Sequence, residues 1–345
     1  MNEDDLVQGS PLVGRAWPAV DRQSIGIDLS RFKELALVPA LVALVIIGAI
    51  VSPSFLTQAN MVSILGSSAA LTFVVVAESL IIITGKFDLS LESVVGIAPA
   101  LGAMLVIPGT SSGFGIGLPT AVGIGVIPLI GALVGAVNGF MVVKLKLNAF
   151  IVTLAMLIVL RGVLVGATRG GTLFDMPEPF FALATATLFG VPLSAWAAGA
   201  TVAIASFILR YHRLGRALYA IGGNAAAAKA AGIRVDRVTW CVYIVAGMLA
   251  AIGGLVITGY VGAINANQGD GMIFTVFAAS VIGGISLDGG KGSMLGALSG
   301  VLLLGVVQNL LTLAQVEAFW IQAIYGGIIL LSLIVSRITS GAERS

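Results

Sequence analysis

The sequence predicts an all-α polytopic membrane protein with about ten transmembrane helices and both termini on the cytoplasmic side. Composition, segment length and the placement of basic residues each point there. Hydrophobic residues fill 58% of the 345 positions and charged residues only 10%, with a mean hydropathy of +1.08. Polar side chains are therefore too scarce to coat a soluble fold of this size. A bilayer core needs roughly 20 predominantly apolar residues per helix, and the chain divides into runs of about that length. Lys and Arg collect in alternate connections between the runs, as they do in cytoplasmic loops.

Residues 1–34 carry six acidic residues beside Arg15, Arg22, Arg31 and Lys33. They lack the short basic start of a signal peptide and are expected to form a mobile cytoplasmic tail. The transmembrane domain follows over 35–336, with apolar runs near 35–51, 61–84, 90–107, 119–143, 149–168, 190–209, 237–263, 272–285, 293–314 and 318–336. The run 272–285 is short for a full crossing, and the one ending near Phe87 reads as broken. Residues 337–345 are expected to form a second cytoplasmic tail. With the N-terminus inside, sixteen of the eighteen Lys and Arg fall on the cytoplasmic side: those of the two tails, Lys86, Lys144, Lys146, the group from Arg210 to Arg237, and Lys291. Arg161 and Arg169 fall elsewhere, and the outer connections 52–60, 108–118 and 264–270 contain neither Lys nor Arg.

Several functional classes drop out. One cysteine, Cys241, and one histidine, His212, leave no internal disulfide and no Cys- or His-rich metal centre. A net charge of +2, without a basic patch interleaved with aromatics, offers no nucleic-acid surface. An ATP site would need the phosphate-cradling pattern G-x-x-x-x-G-K-[ST]. The stretch "SLDGGKGS" at 286–293 misses it twice, because Ile285 stands where the first glycine belongs and Gly292 follows Lys291.

Glycine occupies 45 positions, and small residues let helix backbones approach closely in lipid. Gly131, Gly135 and Gly139 recur every fourth residue, as do Gly292, Gly296 and Gly300. Both sets read as helix-packing stripes.

The longest cytoplasmic connection, 210–237, departs from the apolar background. Asn224 is a favoured N-cap, Ala225 to Ala231 is the strongest helix-forming run available, and Gly232 suits the position just past a helix end. A helix of about two turns is expected over 224–232. So short a helix is marginal alone, and with methyl groups and one lysine it has no apolar face to lay on lipid. Either it docks on a protein surface, or the loop is an exposed connector whose Arg210, Arg213, Arg216, Arg234 and Arg237 pair with anionic lipid heads.

The segment "LGRALYAIGGNAAAAKAAGIRVDRV" (214–238) closely resembles the cytoplasmic coupling loop of permeases from bacterial ATP-driven (ABC) sugar importers of the ribose, xylose and galactoside type. The stretches "IIITGKFDLSLESVVGI" (81–97), "VNGFMVVKLKLNAFIVTLAMLIVLRG" (137–162) and "VIGGISLDGGKGSMLGALSGVLLLGVVQNLLTL" (281–313) resemble the same family in the same order. The resemblance implies a fold like the vitamin B12-type (type II) permeases. It also implies partnership with a second permease subunit, identical or related, two ATPase domains and a periplasmic sugar-binding protein, in a bacterial inner membrane. ATP would be bound by the partner, with no cofactor on this chain. Coupling to the ATPase would fall to Gly215, Arg216, Gly222, Gly223, Asn224, Ala228, Lys229 and Gly232. The chain departs from the family where Lys86 and Phe87 replace a usual glycine and isoleucine, where Ile273 and Thr275 stand in place of common acidic residues, and in "LNAFIVTLAM".

Polar residues inside the apolar runs are candidates for the substrate path. Glu78 is a carboxylate well inside a span, and an ionisable group there is a functional hypothesis by default. It would line the path, couple to protons, or sit paired within the bundle. Asp88 and Ser90 would cap the following helix or face the path at a helix break, with Phe87 beside them. Arg161, past the midplane, would snorkel outward or pair with another helix. Arg169, Asp175 and Glu178 belong to the outer loop. The amides of Asn138, Gln308 and Asn309 would hold a polyol loosely or bond between helices. Trp320 and Tyr325 read as interface and packing aromatics. The function expected is import of a monosaccharide or related polyol, with no catalysis on this chain. The alternatives are the same machinery for branched-chain amino acids or nucleosides, an ion-coupled carrier using Glu78, or a passive channel.

Overall fold

The computed structural model describes residues 37–109 and 113–317, together with positions 320, 323, 324, 326, 327 and 330. The expected tails, 1–34 and 337–345, and Tyr325 lie outside these residues, as does most of the last apolar run, 318–336. Trp320 is described and is largely exposed.

The helices follow the apolar runs. They are α1 (Val38–Val51), α2 (Gln58–Ile83), α3 (Leu91–Met104), α4 (Thr120–Val143), α5 (Ala149–Thr168), the short α6 (Ala182–Thr185), α7 (Leu193–Tyr211), α8 (Arg213–Gly223), α9 (Ala225–Ala230), α10 (Val235–Val261), α11 (Met272–Ile282) and α12 (Met294–Leu313). Among the described residues, α2, α4, α5, α7, α10 and α12 are long and apolar enough to cross a membrane. Of the other four expected spans, most of 318–336 lies outside the described residues, α1 has 14 residues, and two are shortened for a physical reason. Turn residues 84–90 interrupt the chain between α2 and α3, leaving α3 with 14 residues. Helix α11 has 11 residues, which at 1.5 Å per residue reaches about half of a 30 Å hydrocarbon layer.

The bundle is built around α2, buried over most of its length from Ser68 to Ile83, and α10, which packs along α4 and also against α2 and α3. The first glycine stripe makes that α4–α10 contact. A Cβ on Gly131 would strike the Gly247 carbonyl, one on Gly247 would strike the Gly131 carbonyl, and one on Gly135 would strike the Tyr243 carbonyl. Close approach brings the Trp240 indole N–H within 2.9 Å of the Ala136 carbonyl, to which it donates. The second stripe is shorter than its spacing suggests. Gly296 and Gly300 face the Gly283 and Ala279 carbonyls, whereas Gly292 precedes α12 with φ +135° and meets Ile285. Helix α5 lies at the periphery with most of its apolar side chains exposed.

At the end of the bundle opposite α8 and α9, two short antiparallel ribbons order the connections: β1 (Thr172–Leu173) with β4 (Ile264–Asn265), and β2 (Thr187–Leu188) with β3 (Val191–Pro192).

Candidate translocation site and coupling surface

The connection 210–237 contains more structure than a loop with one helix. Asn224 caps α9, its side-chain oxygen accepting from the Ala227 amide at 3.0 Å. Gly232, at φ +85°, follows the helix end. Both features match the local sequence rules. Ahead of α9 stands α8, eleven residues that the glycines at 215, 222 and 223 obscure. His212 caps α8 by accepting from the Leu214 amide. Gly215 allows α8 to fold back on the end of α7, since a Cβ there would meet the Ile208 and Leu209 backbone. Arg216 donates to the Tyr211 carbonyl at 3.4 Å.

The two adjacent glycines of α8 differ in their surroundings. A Cβ on Gly222 would collide with the Ile83 carbonyl at the end of α2 and with Gly290, whereas Gly223 faces open space. Gly85, Gly222, Gly289 and Gly290 meet in one junction, and the Gly290 amide donates to the Ile83 carbonyl at 2.9 Å. Tyr219 donates to the Gly292 carbonyl at 2.8 Å. The "SLDGGKG" segment is thus a backbone seat for α8, holding it against the end of α2. On α9 only Ala228 is buried, and Asn224 and Lys229 are exposed.

The α2–α3 break carries the densest buried polar group. Ser90 donates through its amide (2.9 Å) and its hydroxyl (2.6 Å) to Asp88 Oδ1, and the Asp88 amide donates to Glu78 Oε1 at 3.2 Å. Asn138, from α4, donates to Ser90 Oγ at 2.8 Å and to Asp88 Oδ2 at 3.3 Å. All four side chains are fully buried. Neither Asp88 nor Ser90 acts as the expected cap of α3: no side-chain cap bond forms at Ser90, and both side chains turn to each other and to Asn138. Among the described residues Glu78 Oε2 and Asn138 Oδ1 have no hydrogen-bond partner, a costly arrangement unless a ligand, water or proton completes it. Phe87 stacks edge-on to Phe277 of α11, and its carbonyl accepts from Tyr243 at 3.1 Å.

Arg161 pairs within the bundle. Its guanidinium lies 3.2 Å from Asp270 and 3.7 Å from Glu92 Oε1. Glu92 Oε2 accepts from the Ile273 amide, so the buried carboxylates include Glu92, which the sequence reading passed over. Gln268 inserts beside them, donating to the Val95 carbonyl and Thr258 Oγ1. Asn309 joins neither group. It exchanges amide bonds of 2.9 and 2.7 Å with Asn60, clamping α12 to α2. Gln308 is exposed and apart from the buried group. Tyr243 carried no sequence signal beyond being polar in an apolar run, and Asn60 and Gln268 carried none, since both fell in the outer connections 52–60 and 264–270. Glu92 carried one, a carboxylate two residues inside an apolar run.

A family model described as a branched-chain amino acid transport system permease component matches residues 60–333. The chain is 33% identical over 300 residues to the ribose import permease protein of Escherichia coli, covering 86% of this chain and 91% of that protein. It is 30% identical over 293 residues to the L-arabinose ABC transporter permease protein of Azospirillum brasilense, covering 85% and 84%. It is 32% identical over 308 residues to the autoinducer 2 import system permease protein of Klebsiella pneumoniae, covering 89% and 87%. No solved structure matches the chain. Matched along most of its length, and with six helices of membrane-crossing length among its described residues, the chain belongs to the family of branched-chain amino acid transport system permease components, multi-pass bacterial inner-membrane subunits that transport and do not catalyse.

Proposed function

We propose that this permease forms the path by which an ABC importer brings a monosaccharide or related polyol into the cytoplasm. A partner ATPase engages α8 and α9, and a periplasmic binding protein delivers the solute at the opposite end. The observation that carries the coupling is the glycine junction. Gly222 sits on the Ile83 carbonyl, five residues before Asp88, so a displacement of α8 reaches the α2–α3 break through backbone contact and not through flexible side chains. The buried group of Glu78, Asp88, Ser90 and Asn138 is then the polar constriction that the solute meets, with the hydroxyls of a sugar able to satisfy Glu78 Oε2 and Asn138 Oδ1. Orientation follows the positive-inside pattern: Lys86, Lys291 and the basic residues of 210–237 lie on connections gathered at the α8 end. Two copies of the permease, or this chain and a relative, complete the path, and ATP stays on the partner.

A second solute class, branched-chain amino acids, is favoured by the family description itself, and nucleosides stand beside it as the other alternative. Reconstituting the permease with its ATPase and binding protein in proteoliposomes separates the two. Sugars or polyols should stimulate ATP hydrolysis and compete for uptake. Stimulation by leucine or a nucleoside alone would overturn the sugar reading and leave the coupling path standing.

A further inference from the structure

A cleft of about 890 Å³ opens between α2, α7, α8 and α10, outside the polar group at the helix break. Its walls are aliphatic, formed by Leu80, Ile204, Ile208, Val242, Val245 and Leu249 among others. Ile204 and Val245 are 60% and 44% exposed, so the cleft opens sideways between two membrane-crossing helices. Arg213, Arg234 and Arg237 stand at one end of it. From Arg237 to Leu249 the cleft follows α10 for about 18 Å at 1.5 Å per residue, close to the depth of one leaflet of a 30 Å hydrocarbon core.

The five arginines of the 210–237 segment divide into two kinds. Arg210 lies over the Tyr211 ring, and Arg216 donates to the Tyr211 carbonyl. Arg213, Arg234 and Arg237 are exposed and have no protein partner among the described residues, and all three line the cleft. Asp236 shares the first turn of α10 but is not part of the lining. Three free cations thus crown an apolar slot one leaflet deep.

We propose that this cleft is a binding site for one anionic phospholipid, its phosphate held by Arg213, Arg234 and Arg237 and an acyl chain lying against α7 and α10. The charge of the rim selects the headgroup, because basic pockets between transmembrane helices favour anionic lipids. The depth and aliphatic walls select the chain. The lipid would brace α8 against α10, so membrane composition would bear on coupling.

Cys241 lines the cleft, is exposed, and is the sole cysteine of the chain, which gives a site-specific reporter. The full-length permease, labelled at Cys241 with a small fluorophore, is placed in nanodiscs containing brominated phosphatidylglycerol or brominated phosphatidylcholine at equal mole fraction. Quenching should favour phosphatidylglycerol by roughly fivefold for each arginine engaged. The R213Q/R234Q/R237Q variant, checked for unchanged thermal unfolding in phosphatidylcholine, should quench equally with both lipids. Glycerol phosphate should not displace the brominated lipid. Equal quenching in the native protein overturns the proposal, as does a preference that survives the triple variant. Weak quenching by both lipids, relieved only on removing residues 1–34 or on dissociating a second copy, would assign the cleft to protein and overturn it as well.

Discussion

Gly222 and Gly223 are neighbours with the same side chain and opposite requirements. Gly222→Ala would drive a methyl group into the Ile83 carbonyl and Gly290, and overpacking of this kind costs about 1–3 kcal/mol. A lowered thermal unfolding midpoint and loss of uptake are expected, while Gly223→Ala, in open space, should leave both near native values. Asn138 offers a second test. It supplies the only side-chain donor from α4 to Asp88 among the described residues, and Asn138→Ala would strip a buried carboxyl of that donor, at about 1–3 kcal/mol. The expected result is a destabilised permease whose uptake falls further than its stability accounts for, measured by thermal unfolding beside transport in the same membranes. These partnerships were illegible in the sequence. Asp88 and Ser90 read locally as caps, and the donor they share besides each other, Asn138, lies 50 and 48 positions away. Asn309 finds Asn60 across 249 positions, and no local rule connects them.

At the scale of elements, α9 is the piece that sequence describes best, because a cap and a left-handed glycine are local signals. Asn224 and Gly232 act as their types suggest. Helix α8 escaped notice for the complementary reason. Its glycines look like helix breakers, and what retains Gly215 and Gly222 is close approach to α7, α2 and the 286–292 segment, contacts invisible until the chain is folded. Substituting Asn224 by Ala should cost α9 about 1 kcal/mol. With so short a helix, that loss should appear as weaker binding of the partner ATPase in pull-down, with the permease's own unfolding midpoint unchanged. On the opposite end, Arg161 holds the 262–271 connection through Asp270 and the Gln268 carbonyl. Arg161→Ala would leave Glu92 buried without its counter-ion and, if the link closes the outer side, should raise protease cutting in 262–271 and lower binding-protein-stimulated ATP hydrolysis severalfold. Unchanged cutting would show that the ionic group is not what orders that connection.

For the molecule as a whole, composition and charge placement determine the class, and pattern recognition over four stretches supplies the family. What they leave out is the route between the two ends. Helix α2 provides it, with Asn60 paired to α12 near one end, Glu78 bonded to the break, and the Ile83 carbonyl bearing on α8 and Gly290 at the other. A rigid, buried helix of 26 residues transmits displacement better than a chain of side chains would. That makes the α8–α9 surface the point on which the account of ATP-driven transport rests. The direct measurement is affinity purification of the tagged permease from native membranes in mild detergent, beside a Gly223→Asp variant, which faces open space and should fold normally. An ABC ATPase should accompany the native protein and be lost from the variant at an unchanged unfolding midpoint. An ATPase absent from both samples, or retained equally by both, would contradict coupling through this surface and turn attention to Glu78 in an ion-coupled carrier.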